Sequence, residues 1–409
     1  MSLREGYKET EIGVIPEDWE VSKLGEILNV QTGKKNAQDA VENGEYPFFT
    51  RSVDTQRIDT YSQDTEALFI AGEGNFAVKY YKGKFDIHQR TYMLTCIKDN
   101  SVDLKFLQNS IQPRIFKLVA TSVGSTVQSL RKPIIENLQI PLPPLEEQKK
   151  IADILSTVDQ KIDLIDTQIN DTGVLKKGLM QKLLTEGIGH SEFKESEIGR
   201  IPVGWEVVKL VNAIELMTDY VANGSFASLA ANVTVYDEAN YAIYVRLFDL
   251  RKGLGHEAQK YVDRASYEFL NKSSLEGNEI LLANIGANVG ETFLMPFIDI
   301  PATLAPNMIE IKVDKRKLIS EFIYFYLNSA VGLSELDKVI EGSGQPKINK
   351  TKLKTIMVPI APLSEQKEII EILSTTDEKL ESLQEKKEAY ETLKKGLMQK
   401  LLTGEVRVE

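Results

Sequence analysis

The chain has little of what several classes of protein require. Cys96 is its one cysteine among 409 residues, so neither an intramolecular disulfide nor a zinc site of several thiolates is available. Its three histidines, His88, His190 and His256, lie far apart without a second ligand at metal spacing, so we interpret each as a surface or packing residue. No apolar run approaches about 18 residues and no signal-peptide stretch is present, so we expect a cytoplasmic protein.

A basic excess is also missing. Lys and Arg number 49 against 60 Asp and Glu, a net charge of −11, which on its face argues against a DNA-binding protein. No segment is a basic domain, but local clusters such as 79–84 and 347–354 could still form a positive groove on an acidic body. At 42% hydrophobic residues, a chain of this length is expected to form two or more globular units.

The sequence lacks the motifs of common enzymes. The Gly-Lys pairs at 33–34 and 83–84 do not complete a phosphate-binding loop, and we interpret 72–74 and 286–290 as turns after strands. No Asn-Pro-Pro-aromatic or Asp-Pro-Pro-aromatic stretch of an amino-methyltransferase occurs. The Glu-x-Lys triplets that begin at Glu147 and Glu365 are interpreted as helix capping and not as a nuclease site. We therefore expect no catalytic site and no metal site.

Two blocks of sequence occur twice. The N-terminal block ETEIGVIPEDWEVSKL (9–24) returns at 195–210 with Trp19 and Trp205 in register, and the helix-start block PLPPLEEQKKIADILSTVDQKI (141–162) returns at 359–380. LKKGLMQKLLT occurs verbatim at 175–185 and 393–403. The ends of each repeat therefore match, while the middles differ in sequence and in length.

Between the matching blocks, short β-branched and aromatic runs predict strands of a mixed α/β domain. These runs are 46–50, 67–72, 91–97, 241–245, 279–286 and 307–313. The stretch from Tyr46 to Arg51 parallels Tyr241 to Arg246, and 124–130 parallels 342–348. The two domains are predicted to share a scaffold and to differ in their loops.

Each repeat ends in a heptad pattern, which predicts two long helices that pair with each other. The predicted apolar seam includes Leu155, Ile162, Ile165, Leu179, Leu183, Leu373, Leu380, Leu383, Leu397 and Leu401. A Lys-Lys-Gly triplet interrupts it at 176–178 and at 394–396. We interpret each triplet either as room for a close approach or a kink, or as a weak spot in the helix.

These patterns predict two globular domains joined by two long antiparallel coiled-coil helices, with pseudo-two-fold symmetry. The predicted boundaries are domain one at 1–145, the central repeat helix at 146–186, a hinge at 187–194, domain two at 195–363, and the distal repeat helix with its tail at 364–409.

The repeated blocks, the two helix starts and the verbatim endings together resemble the specificity subunit of type I restriction-modification enzymes, over essentially the whole chain. The resemblance implies a non-catalytic DNA-binding protein whose two target-recognition domains each read one half of an interrupted DNA site. It also implies that the helices set the gap and dock two methyltransferase subunits, and that restriction subunits join them. S-adenosylmethionine, ATP and Mg are then expected on those partners, with no cofactor on this chain.

The unequal lengths of the two domains predict an asymmetric site, and the acidic charge predicts weak, salt-sensitive DNA binding by the isolated chain. Two alternatives are a coiled-coil scaffold that never meets DNA and an enzyme with an unconventional site.

Basic and polar residues in loops and strand ends are the candidate DNA ligands. In domain one they are Lys34, Lys35, Arg51, the KYYKGK residues Lys79, Tyr80, Tyr81, Lys82 and Lys84, and the loop residues Ser125, Gln128 and Arg131. In domain two they are Arg246, Arg251, Lys252, Ser343, Gln345, Lys347 and Lys350. A solvated hairpin is the alternative for KYYKGK, a structural ion pair for Arg51 and Arg246, and a docked protein for the two Gly-rich loops.

Apolar helix positions outside the seam could meet other subunits or pack on the chain's own domains. They are Ile151, Ile154, Leu175, Ile369, Ile372 and Leu393.

Overall fold

The computed structural model describes residues 4–74, 76–98, 101–121, 129–342 and 344–408. The chain divides into two compact units: unit 1 comprises residues 1–167 and 384–409, and unit 2 comprises residues 168–383. Each of the two long helices contributes one half to each unit.

Unit 1 contains ten strands and three short or medium α-helices within its described residues, and it includes part of each long helix. The strands are β1 (Tyr7–Thr10), β2 (Gly13–Pro16), β3 (Glu20–Lys23), β4 (Leu28–Thr32), β5 (Tyr46–Phe49), β6 (Gln56–Ile58), β7 (Gln63–Ala71), β8 (Val78–Ile87), β9 (Thr91–Cys96) and β10 (Gln139–Leu142). The helices are α1 (Leu24–Ile27), α2 (Leu104–Thr121), α3 (Lys132–Glu136) and the long α4 (Leu145–Leu183).

A six-stranded sheet of order β4-β9-β7-β8-β5-β6 forms the centre of unit 1. Its neighbours are antiparallel except β5 and β8, which run parallel. One face packs on α2 and the start of α4 in a core that contains Leu68, Phe106 and Leu155. The other face carries an aromatic cluster in which Phe49 and Phe69 stack with ring centroids 3.7 Å apart.

Unit 2 has more elements, because its middle segment is longer. Its strands are β11 (Phe193–Ser196), β12 (Gly199–Pro202), β13 (Glu206–Lys209), β14 (Ile214–Asp219), β15 (Val235–Tyr236), β16 (Ala242–Val245), β17 (Tyr261–Val262), β18 (Ser274–Leu275), β19 (Ile280–Ala283), β20 (Thr292–Leu294), β21 (Ala302–Leu304), β22 (Met308–Val313) and β23 (Met357–Ile360). Its helices are α5 (Phe226–Asn232), α6 (Leu247–Lys252), α7 (Arg264–Phe269), α8 (Ser320–Leu327), α9 (Ala330–Asp337), α10 (Lys350–Leu353) and the long α11 (Leu363–Leu401).

The sheets of unit 2 repeat the plan of unit 1 in two pieces. The order β14-β22-β19-β20 corresponds to β4-β9-β7-β8, and a five-stranded sheet of order β15-β17-β16-β21-β18 contains the parallel pair β16 and β21. The insertions α5, α6 and α7 lie between β14 and β19 in sequence. The predicted mixed α/β scaffold is confirmed, and each predicted strand run contains an observed strand.

The matching blocks of sequence meet in space within each unit. Strand β3 of the N-terminal block pairs with β10 of the helix-start block, and β13 pairs with β23 in the same antiparallel way. The strands β1 and β2 form a hairpin ahead of β3, as β11 and β12 do ahead of β13. The repeated sequence therefore builds the junction between each domain and its helix, which explains why the ends of the repeats match.

The long helices run antiparallel in both units, as predicted. In unit 1, Asp159 pairs with Lys394 at 2.5 Å and Asp166 pairs with Lys387 at 2.7 Å, so one number falls by seven as the other rises by seven. In unit 2, Lys176 pairs with Asp377. Adding the repeat offset of 218 to Lys176 gives Lys394, so these lysines of the two repeats make equivalent interhelical ion pairs.

The apolar seam residues face inward along both helices. Leu155, Ile165, Leu183, Leu373, Leu383 and Leu401 are buried, and Ile162, Leu179, Leu380 and Leu397 are half-buried. The first lysine of each Lys-Lys-Gly triplet spans the seam to a carboxylate. At Gly178 and Gly396 an added Cβ would meet no described atom within 4 Å, and both helices continue past them. No described part of this chain therefore approaches either glycine closely, and neither glycine ends its helix.

No helix within the described ranges is long and apolar enough to cross a membrane.

Candidate nucleic-acid interface

One arrangement of backbone recurs in the two units, and we call it the strand crossing. In unit 1 the amide of Gly72, just after β7, donates to the carbonyl of Arg90, just before β9, at 2.9 Å. The amide of Leu130 then donates to the carbonyl of Gly72 at 2.8 Å, and Glu73 forms a bridge with Ser129. Three segments far apart in sequence thus meet where β7 ends and β9 begins.

The same bonds occur in unit 2. The amide of Asn284 donates to the carbonyl of Asn307 at 3.1 Å, the amide of Ile348 donates to the carbonyl of Asn284 at 2.8 Å, and Ile285 forms a bridge with Lys347. Gly72 therefore corresponds to Asn284, Glu73 to Ile285, Arg90 to Asn307 and Ser129 to Lys347. Equivalent backbone carries different side chains in the two domains.

In unit 1 the crossing carries an arginine cluster. Arg90 and Arg51 both bind the carboxylate of Glu73, at 2.9 Å and 3.2 Å, and their side chains are 58% and 44% exposed. The hydrogen bonds and charge of Arg90, with a smaller contribution from Arg51, hold the pKa of Glu73 below its usual range. The two guanidinium groups are thereby held side by side at the surface while each keeps most of its donors free of Glu73.

His88 binds the backbone of this cluster. It is buried, and its Nδ1 accepts a hydrogen bond from the backbone amide of Arg90 at 3.0 Å. Burial, together with the charges of Arg51 and Arg90, lowers the pKa of His88. The histidine thus acts as a neutral acceptor that fixes the start of β9. It is a packing residue, as the sequence predicts.

In unit 2 the crossing opens into a hollow of roughly 460 Å³ lined by Asn284, Asn307, Lys347 and Lys350. Lys350 pairs with Asp219 at 2.8 Å, and Lys347 is exposed. Phe226, also in the lining, is 78% exposed. The hollow, which Asp219 also lines, therefore combines lysine ammonium groups, the side-chain amides of Asn284 and Asn307, and an aromatic face.

The KYYKGK residues do not converge on one surface. They lie within β8, which forms a hairpin with β7 as the alternative interpretation expects, and alternate side chains of this strand point to opposite faces. Tyr80 donates to Glu66, and Tyr81 packs in the aromatic cluster. Lys79 is half-buried and donates to the carbonyl of Ser52 at 2.9 Å, which places it beside Arg51.

The remaining two lysines of this strand are exposed. Lys82 lies 3.6 Å from Glu66, and the ammonium of Lys84 lies 4.7 Å above the ring of Tyr61.

The other candidates of domain one lie at the margins of its sheet. Lys34 is exposed and Lys35 is half-buried in a backbone bridge to His88. Gly33 allows this close approach, because an added Cβ would lie 1.8 Å from the carbonyl oxygen of Ile87. Arg131 is exposed at the N-terminus of α3. The candidates Ser125, Gln128 and Ser343 lie outside the described residues.

Arg246 is a structural residue. Its guanidinium makes two bonds to the fully buried Asp249, at 2.7 and 3.0 Å, and one to the carbonyl of Ala258. The structural ion pair weighed for Arg246 is therefore observed.

The predicted equivalence of Arg51 and Arg246 is wrong by one residue. The amide of His88 bonds the carbonyl of Phe49 as the amide of Ala305 bonds that of Val245, so Arg246 corresponds to Thr50. The sequence offered no anchor for this register, because the flanking loops differ in length.

The remaining candidates of domain two are dispersed. Arg251 pairs with Glu291, with 2.9 Å between Nε and Oε1, and Lys252 lies at the end of α6 near the ring of Phe248. Gln345 is exposed two residues before the hollow residue Lys347. The structure thus brings Lys347 and Lys350 together and leaves Arg251 and Lys252 in separate surroundings.

The helix-start glutamates hold domain to helix and do not cap their own helices. Glu147 accepts a hydrogen bond from Nε1 of Trp19 at 3.0 Å, and Glu365 accepts one from Nε1 of Trp205 at 2.9 Å. Arg407 from the C-terminal tail binds Glu147, and His190 binds Glu365 in the corresponding place. Both glutamates lie in the first turn of their helices, where a negative charge is favourable, but their described hydrogen bonds come from tryptophan donors on the repeated N-terminal block and not from the amides of their own helices.

The six apolar helix positions outside the seam divide into two sets. Ile151 and Ile369 are buried in the cores of their own units, and Ile154 packs against the core of unit 1. Leu175, Ile372 and Leu393 are exposed. Packing on the chain's own domains thus accounts for half of the set.

Sequence reasoning missed Glu73, Arg90, Asn284, Asn307 and Phe226. A usable signal existed, because Arg90 directly precedes the predicted strand 91–97 and Asn307 is the first residue of the predicted strand 307–313. Within the described ranges, no group of three or more His, Cys, Asp and Glu side chains is arranged to hold a metal ion.

Comparison with known proteins relates both repeats to one family. The model of the type I restriction modification DNA specificity domain matches residues 16–172 and 202–391. The chain is 31% identical to the type I restriction enzyme MjaVIII specificity subunit of Methanocaldococcus jannaschii over 427 residues, covering 99% of this chain and 97% of that subunit. It is 24% identical to the EcoDI specificity subunit of Escherichia coli, covering 88% and 81%.

The fold is shared with a solved structure. The crystal structure of the S subunit of a type I restriction-modification system from M. genitalium superposes with a TM-score of 0.63 at 16% identity and covers 98% of both chains. By sequence and by fold, the chain belongs to the family of type I restriction-modification DNA specificity subunits.

Proposed function

We propose that this chain is the DNA-recognition subunit of a type I restriction-modification complex and that each domain reads one half of an asymmetric, interrupted site. The observation that carries the proposal is the strand crossing, which places Glu73 and Arg90 in one domain where the other has Ile285 and Asn307. One scaffold with two sets of side chains suits two different half-sites.

Positive charge at each crossing supports DNA as the ligand. Arg51, Arg90 and Lys79 lie together in unit 1, and Lys347 and Lys350 line the hollow of unit 2. Such groups bind phosphates and the edges of bases. The acidic residues of the chain lie largely elsewhere or, like Glu73 and Asp219, hold these cations in position.

The paired helices are the element that sets the spacing of the two half-sites in this proposal. Each is a continuous helix of 39 residues, about 60 Å at 1.5 Å per residue. Exposed Leu175 and Leu393 occupy equivalent repeat positions, which suits two copies of one partner. We assign that role to two methyltransferase subunits.

Catalysis is assigned to the partners. In this proposal S-adenosylmethionine is held by the methyltransferase subunits, and ATP and Mg by restriction subunits that join them, while this chain binds no cofactor and acts in the cytoplasm. The names of its relatives support the assignment, because they are called specificity subunits of restriction enzymes.

The test is to sequence the methylated bases of DNA from a host that expresses this chain with its modification subunit. An interrupted adenine-methylation motif that disappears when the chain is deleted is the expected result. Unchanged methylation on deletion would sink the proposal in favour of a scaffold that never meets DNA. Methyl transfer by the isolated chain would instead reveal an enzyme.

A further inference from the structure

Arg90 and Asn307 occupy the same backbone position in the two domains. Each directly precedes the strand next to the centre of its sheet, and the carbonyl of each accepts the same bond at the strand crossing. Any ligand that approaches the two crossings in the same way meets an arginine in one domain and an asparagine in the other.

Glu73 holds Arg90 in position and engages only part of the hydrogen-bonding capacity of its guanidinium. Only Nη1 of Arg90 bonds to Glu73 among the described residues, which leaves Nε and Nη2 of the guanidinium for another partner. Arg51 likewise uses only Nη1 on Glu73 within those residues. A guanidinium edge with two parallel donors matches the O6 and N7 acceptors of guanine in the major groove.

The asparagine is presented differently. Asn307 is exposed with a backbone φ of 69°, a conformation that Asn tolerates better than most residues. Its side-chain amide bonds to no side chain or backbone group among the described residues, and it lines the hollow beside Lys347 and Phe226. An amide offers one donor and one acceptor together, which matches N7 and N6 of adenine.

We propose that Arg90 reads a guanine in the half-site of domain one and that Asn307 reads an adenine in the half-site of domain two. This inference rests on the proposed function and adds which residue reads which base. Glu73 acts as a positioning residue that holds Arg90, and Lys347 contributes phosphate contact beside Asn307.

Two features favour base reading over a purely structural role. The Arg90 guanidinium is more than half exposed, so it contributes little to the core. The conformation at Asn307 accounts for the choice of Asn over most residues but not for the hollow in front of it, which Lys347 and Phe226 also line. Variants that keep the conformation and change the amide separate the two explanations.

The experiment uses the assembled methyltransferase complex and compares methylated motifs in DNA from hosts that carry each variant. We expect Arg90→Ala to turn one guanine of one half-site into any base and to leave the other half-site intact. Binding of the complex to duplexes altered at that base pair should lose roughly 5- to 150-fold of its discrimination. Arg90→Lys should relax the same position, because an ammonium lacks the paired donors.

For domain two, Asn307→Gly keeps a positive φ and removes the amide, so we expect one adenine of the opposite half-site to become any base. Asn307→Asp keeps size and conformation but replaces the donor with an acceptor, so we expect discrimination for that adenine to be lost. Arg264→Ala is the matched control, since Arg264 is an exposed arginine paired with Glu268 on α7, and it should leave the motif unchanged.

Several outcomes would overturn the inference. The first is an unaltered motif in the Arg90 and Asn307 variants, and the second is a wild-type motif in which one half-site has no G·C pair. The last is an altered motif with Arg90→Ala but a wild-type motif with Arg90→Lys. The last would assign Arg90 to a phosphate. In each case the wild-type motif still depends on this chain, so the proposed function survives. Absence of any chain-dependent motif in the wild type defeats the proposed function instead.

Discussion

At the scale of single residues, partners decide which charged side chains remain available to a ligand. The guanidinium of Arg246 donates hydrogen bonds to Asp249 and to the carbonyl of Ala258, whereas Arg90 presents most of its donors at the surface. The sequence could not separate these two arginines. Arg246 meets its carboxylate three residues away, but Glu73 lies 17 residues from Arg90 and reaches it only through the pairing of β7 with β9.

Glu310 is a second residue whose state depends on the fold. It is fully buried on β22, and its carboxylate lies 3.6 Å from the ammonium of Lys312, which also lies 3.5 Å from Glu279. Burial raises the pKa of Glu310 to about 7, against the opposing effect of Lys312 and with a further rise from Glu279 and Glu276.

The raised pKa predicts how stability depends on pH. Between the ordinary pKa of 4.5 and about 7, the native state holds a proton at Glu310 that the unfolded chain has lost, so this site destabilises the native state as pH rises through that window. The difference in unfolding free energy between Glu310→Gln and wild type should therefore shift in favour of the variant by on the order of 2 kcal/mol from pH 5 to pH 8. Urea unfolding at both pH values measures it.

The control for Glu310→Gln is Glu381→Gln on the exposed face of α11. Its difference from wild type should be the same at pH 5 and pH 8. If the difference between Glu310→Gln and wild type were also the same at pH 5 and pH 8, the buried carboxyl of Glu310 would have an ordinary pKa.

At the scale of elements, the spacing of apolar residues along the sequence predicted the long helices and several strands. The heptad spacing placed the inward face of α4 and α11, and the β-branched runs located six of the strands, namely β5, β7, β9, β16, β19 and β22. The short helix α1 and the position of KYYKGK inside β8 were not predicted. The lysines and the glycine of that segment gave no apolar run that predicts a strand, but it pairs with β7 over eight residue pairs.

The helix pair predicts a contrast between two leucines of α4. Leu155 is fully buried where α4 packs on the core of unit 1, whereas Leu164 is 51% exposed. Leu155→Ala should lower the free energy of unfolding by about 2–5 kcal/mol, and Leu164→Ala should change it by less than about 0.5 kcal/mol. Urea unfolding followed by the fluorescence of the buried Trp19 and Trp205 measures both.

Equal losses for the two leucine variants would mean that Leu164 packs against something in solution. A loss below about 1 kcal/mol at Leu155 would contradict the packing described for the start of α4.

At the scale of the whole molecule, the repeat is the feature that the sequence predicted best, because verbatim and near-verbatim blocks build the same junctions twice. The candidate site was predicted least well. Of the residues at the two strand crossings, Arg51, Lys347 and Lys350 were named from sequence, while Arg90 and Asn307 emerge only when the two sheets are compared bond by bond.

The net charge of −11 makes a prediction about the isolated chain. Because no segment of the chain is a basic domain, we expect weak DNA binding that falls steeply with added salt, and tight binding only with partner subunits. Fluorescence anisotropy with a duplex that carries the methylated motif measures this. Nanomolar, sequence-specific affinity of the free chain at physiological salt would contradict it.

The central claim is that two domains on one scaffold read two different half-sites. The most direct measurement exchanges residues 28–123 for the matching segment of another family member and sequences the methylated bases of host DNA in the presence of the modification subunit. The account predicts that one half of the interrupted motif changes while the other half and the gap stay the same. A motif that is unchanged in both halves would contradict it.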